Sequence, residues 1–318
     1  MRLTYLDAAR EALAEEMRRD PLVWAVGEDL GRGGVFNQYR GLVEEFGPDR
    51  ISDAPISEAA ILGAAVGAAM MGTRPVVEMR FSDFALCAVD ELVNQAAKAR
   101  FMFGGQTRVP MVVREPIGMW RSSAAQHSQS LESWYAHIPG LVVICPATPA
   151  DNKGLLKSAI RCDDPVVYME HKNLWPLEGE VPAGDHLTPI GKARTVREGT
   201  DITLVSWSAQ LHVCERAAVT LATQNISVEL IDLRTIWPWD REAVLASAAK
   251  TGRLLVAHEA VGPGGFGAEI VATVAETLRI QVRRLAAPRT PIGYAPTVED
   301  AVRVTEAMTI AAVSEMMK

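Results

Sequence analysis

The sequence predicts an α/β protein of two domains, each a mostly parallel sheet with helices on both faces. Three observations carry that expectation. Short apolar segments of strand length alternate with segments of helix length along most of the 318 residues, as strands covered on both faces require. The alternation lapses from Lys172 to about Arg197, where Pro176, Pro182, Gly184, Pro189 and Gly191 fall close together. It then resumes over a shorter stretch. The expected domains are therefore 1–175 and 198–318, with a linker over 176–197.

The elements follow in order. The opening MRLTYLDAAREALAEEMRRD is an acid-containing amphipathic helix, unlike a signal or transit peptide. LVWAVGED reads as a strand, NQYRGLVEEFG as a helix and RPVVEM as a strand. DFALCAVDELVNQAAKARFMF reads as one long helix, followed by the strands VPMVVRE and LVVICPA, the helix PADNKGLLKSAIRCDD and the strand PVVYMEH. Beyond the linker, DITLVSW, ISVELIDL, GRLLVAHEA and IQVRRLAAP read as strands, with helices AQLHVCERAAVTLATQ, DREAVLASAAKT and GAEIVATVAETL between them.

Composition narrows the function. Hydrophobic residues make up 48% and charged ones 22%, which indicates a globular chain. The net charge of −7 argues against a nucleic-acid binder. No apolar run reaches the roughly 20 residues of a membrane span. Cys87, Cys145, Cys162 and Cys214 are scattered with no CxxC, so neither disulfides nor structural zinc is expected and a reducing cytoplasm fits.

DAPISEAAILGAAVGAAMMGTRPVVEM, Asp53 to Met79, places one carboxylate, Glu58, at the edge of a run from Ala59 to Gly72 with no charge. Ionised carboxylates avoid such places unless something pairs with them. The plain explanation is a helix start: Ser57 as cap and an acid in the first turn. The small residues then let the helix pack closely against its neighbours.

Three other stretches bear chemistry. GPGGFG, Gly262 to Gly267, matches a dinucleotide loop between a strand and a helix, which admits an NAD-dependent oxidoreductase as a rival. Against it, IQVRRLAAP ends without the acid that holds a ribose, and no second half-site follows. AAQHSQS sets His127 in a polar segment beyond a strand, where α/β folds build sites and where an ordinary loop histidine is equally at home. MRFSDF puts Phe81, Asp83 and Phe84 where a strand gives way to a helix, as core or as the wall of a flat-ring pocket. No G-x-S-x-G elbow and no H-E-x-x-H metal motif is present.

Together, VGEDLGRGGVF, APISEAAILGAAVGAAMMGTRPVVEMRFSDF, AVDELVNQAAKARFMFGG, AAQHSQS, HIPGLVVICPATPADNKGLLKSAIRCDDPVV, GTDITLVSWS, IDLRTIWPWD and KTGRLLVAHEAVGPGGFGAEI occur in this order. The chain resembles the β subunit of a thiamine-diphosphate-dependent 2-oxo acid dehydrogenase, the E1 component of pyruvate, branched-chain and acetoin complexes.

The resemblance implies a pyrimidine-binding domain followed by a transketolase-type C-terminal domain, in which GPGGFG is a turn. It implies that Glu58 contacts the cofactor's aminopyrimidine N1′ and that Phe84 packs on that ring. It sets Glu28 with them on the cofactor side and makes His127 the active-site histidine. Mg²⁺ and the diphosphate are held in such enzymes by a GDG motif and a downstream Asn, and no GDG occurs here. An α subunit is therefore expected to complete the site in an α2β2 assembly, with an E2 acyltransferase receiving the acyl group on its lipoyl arm. The resemblance also implies K⁺ near Ala159, Ile160, Cys162 and Asp164. Met119, Trp120 and Arg121 are bulkier than is usual before the histidine. They read as a surface loop on the α-subunit contact, or as residues that narrow the acyl pocket or offer a cation. A non-catalytic assembly subunit of the same fold is the remaining rival, and the presence of both Glu58 and His127 argues against it.

Overall fold

The computed structural model describes residues 1–318. The chain divides into two compact units, one of residues 1–117 and 134–190, the other of residues 118–133 and 191–318. No helix is long and apolar enough to cross a membrane.

In the first unit, a short strand β1 (Arg2–Thr4) leads into the helix Tyr5–Arg19. The Thr4 hydroxyl caps that helix by accepting from the Asp7 amide at 3.0 Å. Six strands then pair in parallel: β2 (Val23–Gly27), β3 (Ile51–Asp53), β4 (Arg74–Glu78), β5 (Val112–Ile117), β6 (Val142–Ile144) and β7 (Val166–His171). Their order across the sheet is β6-β7-β5-β4-β2-β3. Every residue of β5 and β7 is buried, as expected of central parallel strands. Below them Ala9, Ala12, Leu13, Leu155, Leu156 and Tyr168 form part of one continuous core.

Several expectations change in detail. The helix read over NQYRGLVEEFG shrinks to Leu42–Phe46, because Asn37 and Gly41 take φ of 62° and 82° and the chain turns there. The long helix from Asp83 is helical throughout but not uniform, with a π-helical turn over Asp90–Ala96. The stretch 176–197 contains two strands, β8 (Glu178–Glu180), antiparallel to β1, and β9 (Arg194–Arg197).

The helix Glu58–Met70 buries Ile61, Leu62, Ala65, Val66 and Ala69. Its opposite face, Ala59, Ala60, Gly63, Ala64 and Gly67, is exposed. A Cβ on Gly67 would meet nothing within 4 Å, so the small residues there are not explained by close packing inside this chain.

In the second unit five strands follow the order β14-β13-β10-β11-β9. Strands β10 (Ile202–Ser206), β11 (Val228–Asp232), β13 (Arg253–Val261) and β14 (Gln281–Ala287) are parallel, and β9 is an antiparallel edge. A short strand, β12 (Thr235–Trp237), follows β11 in the chain.

The central strands of the first unit carry buried charge, as do the helices Tyr5–Arg19 and Pro149–Arg161. Arg114 is buried and pairs with Glu170 at 2.6 Å and, more distantly, with Glu78 at 3.6 Å. The Tyr39 hydroxyl donates to Glu78 at 2.9 Å. Burial pushes Glu78 up to about 7. Glu115, also buried, accepts from the Ser82 hydroxyl at 2.8 Å and is pushed up to about 8, again chiefly by burial.

A stability prediction follows for Glu115. Its carboxyl keeps its proton in the folded chain up to about 8, whereas an unfolded glutamate releases it near 4.5. The folded state therefore holds more protons between those values, and stability should fall as pH rises through that window. Glu115→Gln keeps the shape and cannot ionise, so its urea midpoint should fall less from pH 5 to pH 8 than that of the wild type. Parallel curves for the two proteins would refute this.

Candidate active site

Three of the expected residues follow the carboxyl ends of adjacent strands. Strand β2 lies between β3 and β4, and Gly27 is in register with Asp53 on one side and Glu78 on the other. The chain leaves β2 directly into Glu28. From β3 it reaches Glu58, and from β4 it reaches the short helix Ser82–Ala85 that carries Phe84. After β3 the chain returns past β2 to β4, so its direction across the sheet reverses here. Crevices outside such a reversal are where open α/β sheets bind ligands.

Gly27 permits this approach. A Cβ there would lie 2.8 Å from the Glu78 carbonyl oxygen and 2.9 Å from the Glu78 Cβ.

Glu58 is the first residue of its helix and is half-buried. The helix start is not made by Ser57 as expected. The Ser57 hydroxyl donates to the Pro55 carbonyl at 2.8 Å and does not cap the helix. Glu58 takes no hydrogen bond or ion pair from this chain. Glu28, which is 7% exposed, pairs with Arg80 at 3.0 Å. Burial raises the Glu28 pKa, Arg80 opposes the rise, and the nearby Glu58 and Asp29 carboxylates add to it.

Arg80 was not expected from the sequence. It bridges Glu28 and Asp29, with 2.7 Å to the latter. Both Arg80 and Asp29 have left-handed backbones, with φ of 46° and 58°. Such strain persists only where the surroundings over-determine it. The position of Arg80 just past the end of β4 was the available signal.

Phe84 is half-buried and meets Phe81 edge to face, with centroids 5.2 Å apart. Phe81 contacts Phe36 in the same manner at 5.9 Å, and the Lys172 ammonium lies 4.7 Å from the Phe81 centroid. The aromatics of MRFSDF, expected as core or as a pocket wall, are thus part of an aromatic cluster.

His127 is placed differently. The segment Gly118–Ser133 groups with Gly191–Lys318, not with the strands that flank it in sequence. Within that unit His127 is half-buried on a loop in which Arg121, Ser122 and Ala124 all have left-handed backbones. Met119 is buried and lines a cavity of about 500 Å³ together with Ser128, Leu131, Glu259 and Ile292. Trp120 is half-buried, and the exposed Arg121 lies over its ring at 5.2 Å.

The dinucleotide reading of GPGGFG is not supported. A Cβ on Gly265 or Gly267 would lie 2.5 Å or 2.7 Å from the His258 ring, so these glycines make room for an internal imidazole. The Phe266 amide, which a phosphate would need, already donates to the Ser133 hydroxyl at 2.8 Å.

At the end of the helix Pro149–Arg161, Arg74 donates to the carbonyls of Ile160 and Cys162, both at 3.0 Å. It also pairs with Asp163 at 2.7 Å, while Asp164 pairs with Arg100 at 2.5 Å. A guanidinium thus already serves two of the carbonyls named for a cation. No group of three or more His, Cys, Asp or Glu residues is placed to hold a metal ion.

Residues 1–178 match the transketolase pyrimidine-binding domain family, and residues 191–308 the transketolase C-terminal domain family. The chain is 44% identical over 304 residues to the 2-oxoisovalerate dehydrogenase subunit beta of Bacillus subtilis, covering 93% of each. It is 44% identical over 326 residues to the acetoin:2,6-dichlorophenolindophenol oxidoreductase subunit beta of Cupriavidus necator, covering 98% of this chain and 96% of that one. It is 43% identical to the pyruvate dehydrogenase E1 component subunit beta of Rhizobium meliloti, over 93% of this chain and 66% of the relative. A solved split-gene transketolase, described as an inactive beta4 tetramer, superposes with a TM-score of 0.84 over 99% of this chain and 98% of its own, at 21% identity. That likeness concerns the fold.

Proposed function

We propose a function for a chain that belongs to the family of E1 β subunits of thiamine-diphosphate-dependent 2-oxo acid and acetoin dehydrogenases. It works with an α subunit, acting on a 2-oxo acid or on acetoin, and the acyl group passes to the lipoyl group of an E2 acyltransferase. What supports this reading is that Glu28, Glu58 and Phe84 each follow the carboxyl end of one of three adjacent parallel strands.

The residues present fit the aminopyrimidine half of the cofactor. Glu58 is a half-buried carboxylate that this chain leaves without a partner, and Phe84 offers an aromatic face. When bound, thiamine diphosphate supplies the carbon nucleophile and the electron sink. Glu58 would hold a proton at the ring nitrogen. Arg80 fixes Glu28 beside it. His127 is assigned to protonating a sulfur of the lipoyl group.

The Mg²⁺–diphosphate half needs carboxylate and amide oxygens, and we assign it to the α subunit. The open small-residue face of the helix Glu58–Met70 supports a chain that packs against another. The assembly we propose is α2β2. A monovalent cation at Ala159, Ile160, Cys162 and Asp164 would have to share carbonyls with Arg74 and is not part of the proposed function.

The test is calorimetric titration of the purified β chain alone with thiamine diphosphate and Mg²⁺. Binding should be poor until the α subunit is added. Micromolar affinity of the isolated chain, about −8 kcal/mol, would sink the divided site.

A further inference from the structure

The loop that carries His127 is tied at both ends to the rest of the second unit by side-chain hydrogen bonds. At its start, the Met119 amide donates to Glu259 at 2.7 Å and the Ser122 amide donates to Glu299 at 2.9 Å. At its end, Glu132 accepts from the Trp207 indole at 3.1 Å, and the Ser133 hydroxyl accepts from the Phe266 amide at 2.8 Å. Glu299 is 3% exposed and is itself held by an ion pair with Arg303.

Between the tethers, Arg121, Ser122 and Ala124 have φ of 46°, 58° and 62°. Non-glycine residues leave that region readily unless their surroundings enforce it. Two carboxylates hold main-chain N–H groups at the start of this strained stretch, Glu259 at Met119 and Glu299 at Ser122. Each accepts a main-chain N–H, and such charge-assisted bonds are among the stronger ones.

We propose that Glu259 and Glu299 are positioning residues for His127. They hold the loop backbone so that the imidazole is presented in one place, and they act through it. The proposal rests on the role given to His127 above. It adds that the C-terminal unit, not the pyrimidine-binding domain in which the histidine falls by sequence, sets the geometry of the lipoyl-transfer step.

The experiment uses the reconstituted complex with Glu259→Ala, Glu299→Ala, Glu299→Gln, His127→Ala and the double variant of Glu299→Ala with His127→Ala. Two rates are measured, acylation of lipoamide and turnover with an artificial electron acceptor, together with hydrogen exchange over residues 118–133. Glu299→Ala should speed exchange in that segment and slow lipoamide acylation about tenfold, with the artificial-acceptor rate little changed. Glu259→Ala should do the same. Glu299→Gln retains an acceptor oxygen for the Ser122 amide and should recover most of the rate. In the His127→Ala background Glu299→Ala should add little, as expected of residues that act as a unit.

Unchanged exchange in Glu299→Ala would overturn the tether. Faster exchange with equal loss of both rates, or with losses additive to those of His127→Ala, would overturn positioning in favour of a general structural role. If His127→Ala itself loses nothing, the histidine's role fails and the proposal with it. If His127→Ala shows the selective loss and Glu299→Ala does not, positioning alone fails.

Discussion

Glu58→Gln should lower turnover of the reconstituted enzyme by roughly 10²-fold or more, the scale of a lost general acid–base group, while the subunits still assemble. The amide keeps the shape of the side chain at the first position of its helix, and Ser57 does not depend on it. What it loses is the ability to hold a proton at the ring nitrogen of the cofactor. Exchange of the cofactor's C2 proton should slow with turnover. Gel filtration separates this from the alternative: if turnover is lost only because the complex dissociates, Glu58 serves the helix start or the subunit contact. Glu28 sharpens the expectation, because its pKa is raised partly by the Glu58 charge. With that charge removed, Glu28 should titrate lower.

The second large effect is expected at His127, and it should be unequal between two assays. Opening the lipoyl disulfide leaves a sulfur that must take a proton, and imidazole is the side chain suited to deliver one near neutral pH. His127→Ala should therefore cut acylation of lipoamide steeply, by roughly 10²-fold or more. Turnover with an artificial electron acceptor, which needs no thiol protonation, should survive better. Cofactor affinity must first be shown unchanged. Equal losses would assign His127 to cofactor activation or substrate binding. No loss in either assay would return it to an ordinary loop histidine.

Much of this molecule can be read in one dimension. Strands such as VPMVVRE and PVVYMEH are short, apolar and bounded, and they appear as β5 and β7 because burial on both faces leaves no other use for such runs. Glu28, Glu58 and Phe84 are named through the family resemblance, and each follows one of three adjacent strands, whose parallel pairing brings their carboxyl ends to one edge. The sequence does not reveal Arg80 in the same way, since its pairing with Glu28 depends on a left-handed turn that arginine does not favour. Nor does it reveal the missing cap at Ser57, because an S-E pair before an apolar run looks the same whichever way the hydroxyl turns. The affiliation of Gly118–Ser133 was the least legible feature. It rests on Glu259 and Glu299, far along the chain, and local pattern carries no information about such partners.

That affiliation also has a consequence in time. Ser122 and its acceptor Glu299 are 177 residues apart. At a synthesis rate of about 5–20 residues per second, the loop leaves the ribosome roughly 10 to 35 seconds before its anchor. During that interval the strands before and after it can pair, while Met119 and Leu131 lack the cover they later have. Such exposed apolar surface is what chaperones retain and what aggregates when they do not. The loop proposed to meet the lipoyl arm is thus made early and completed late, and a nascent chain stalled before Glu299 lacks the acceptor for its Ser122 amide.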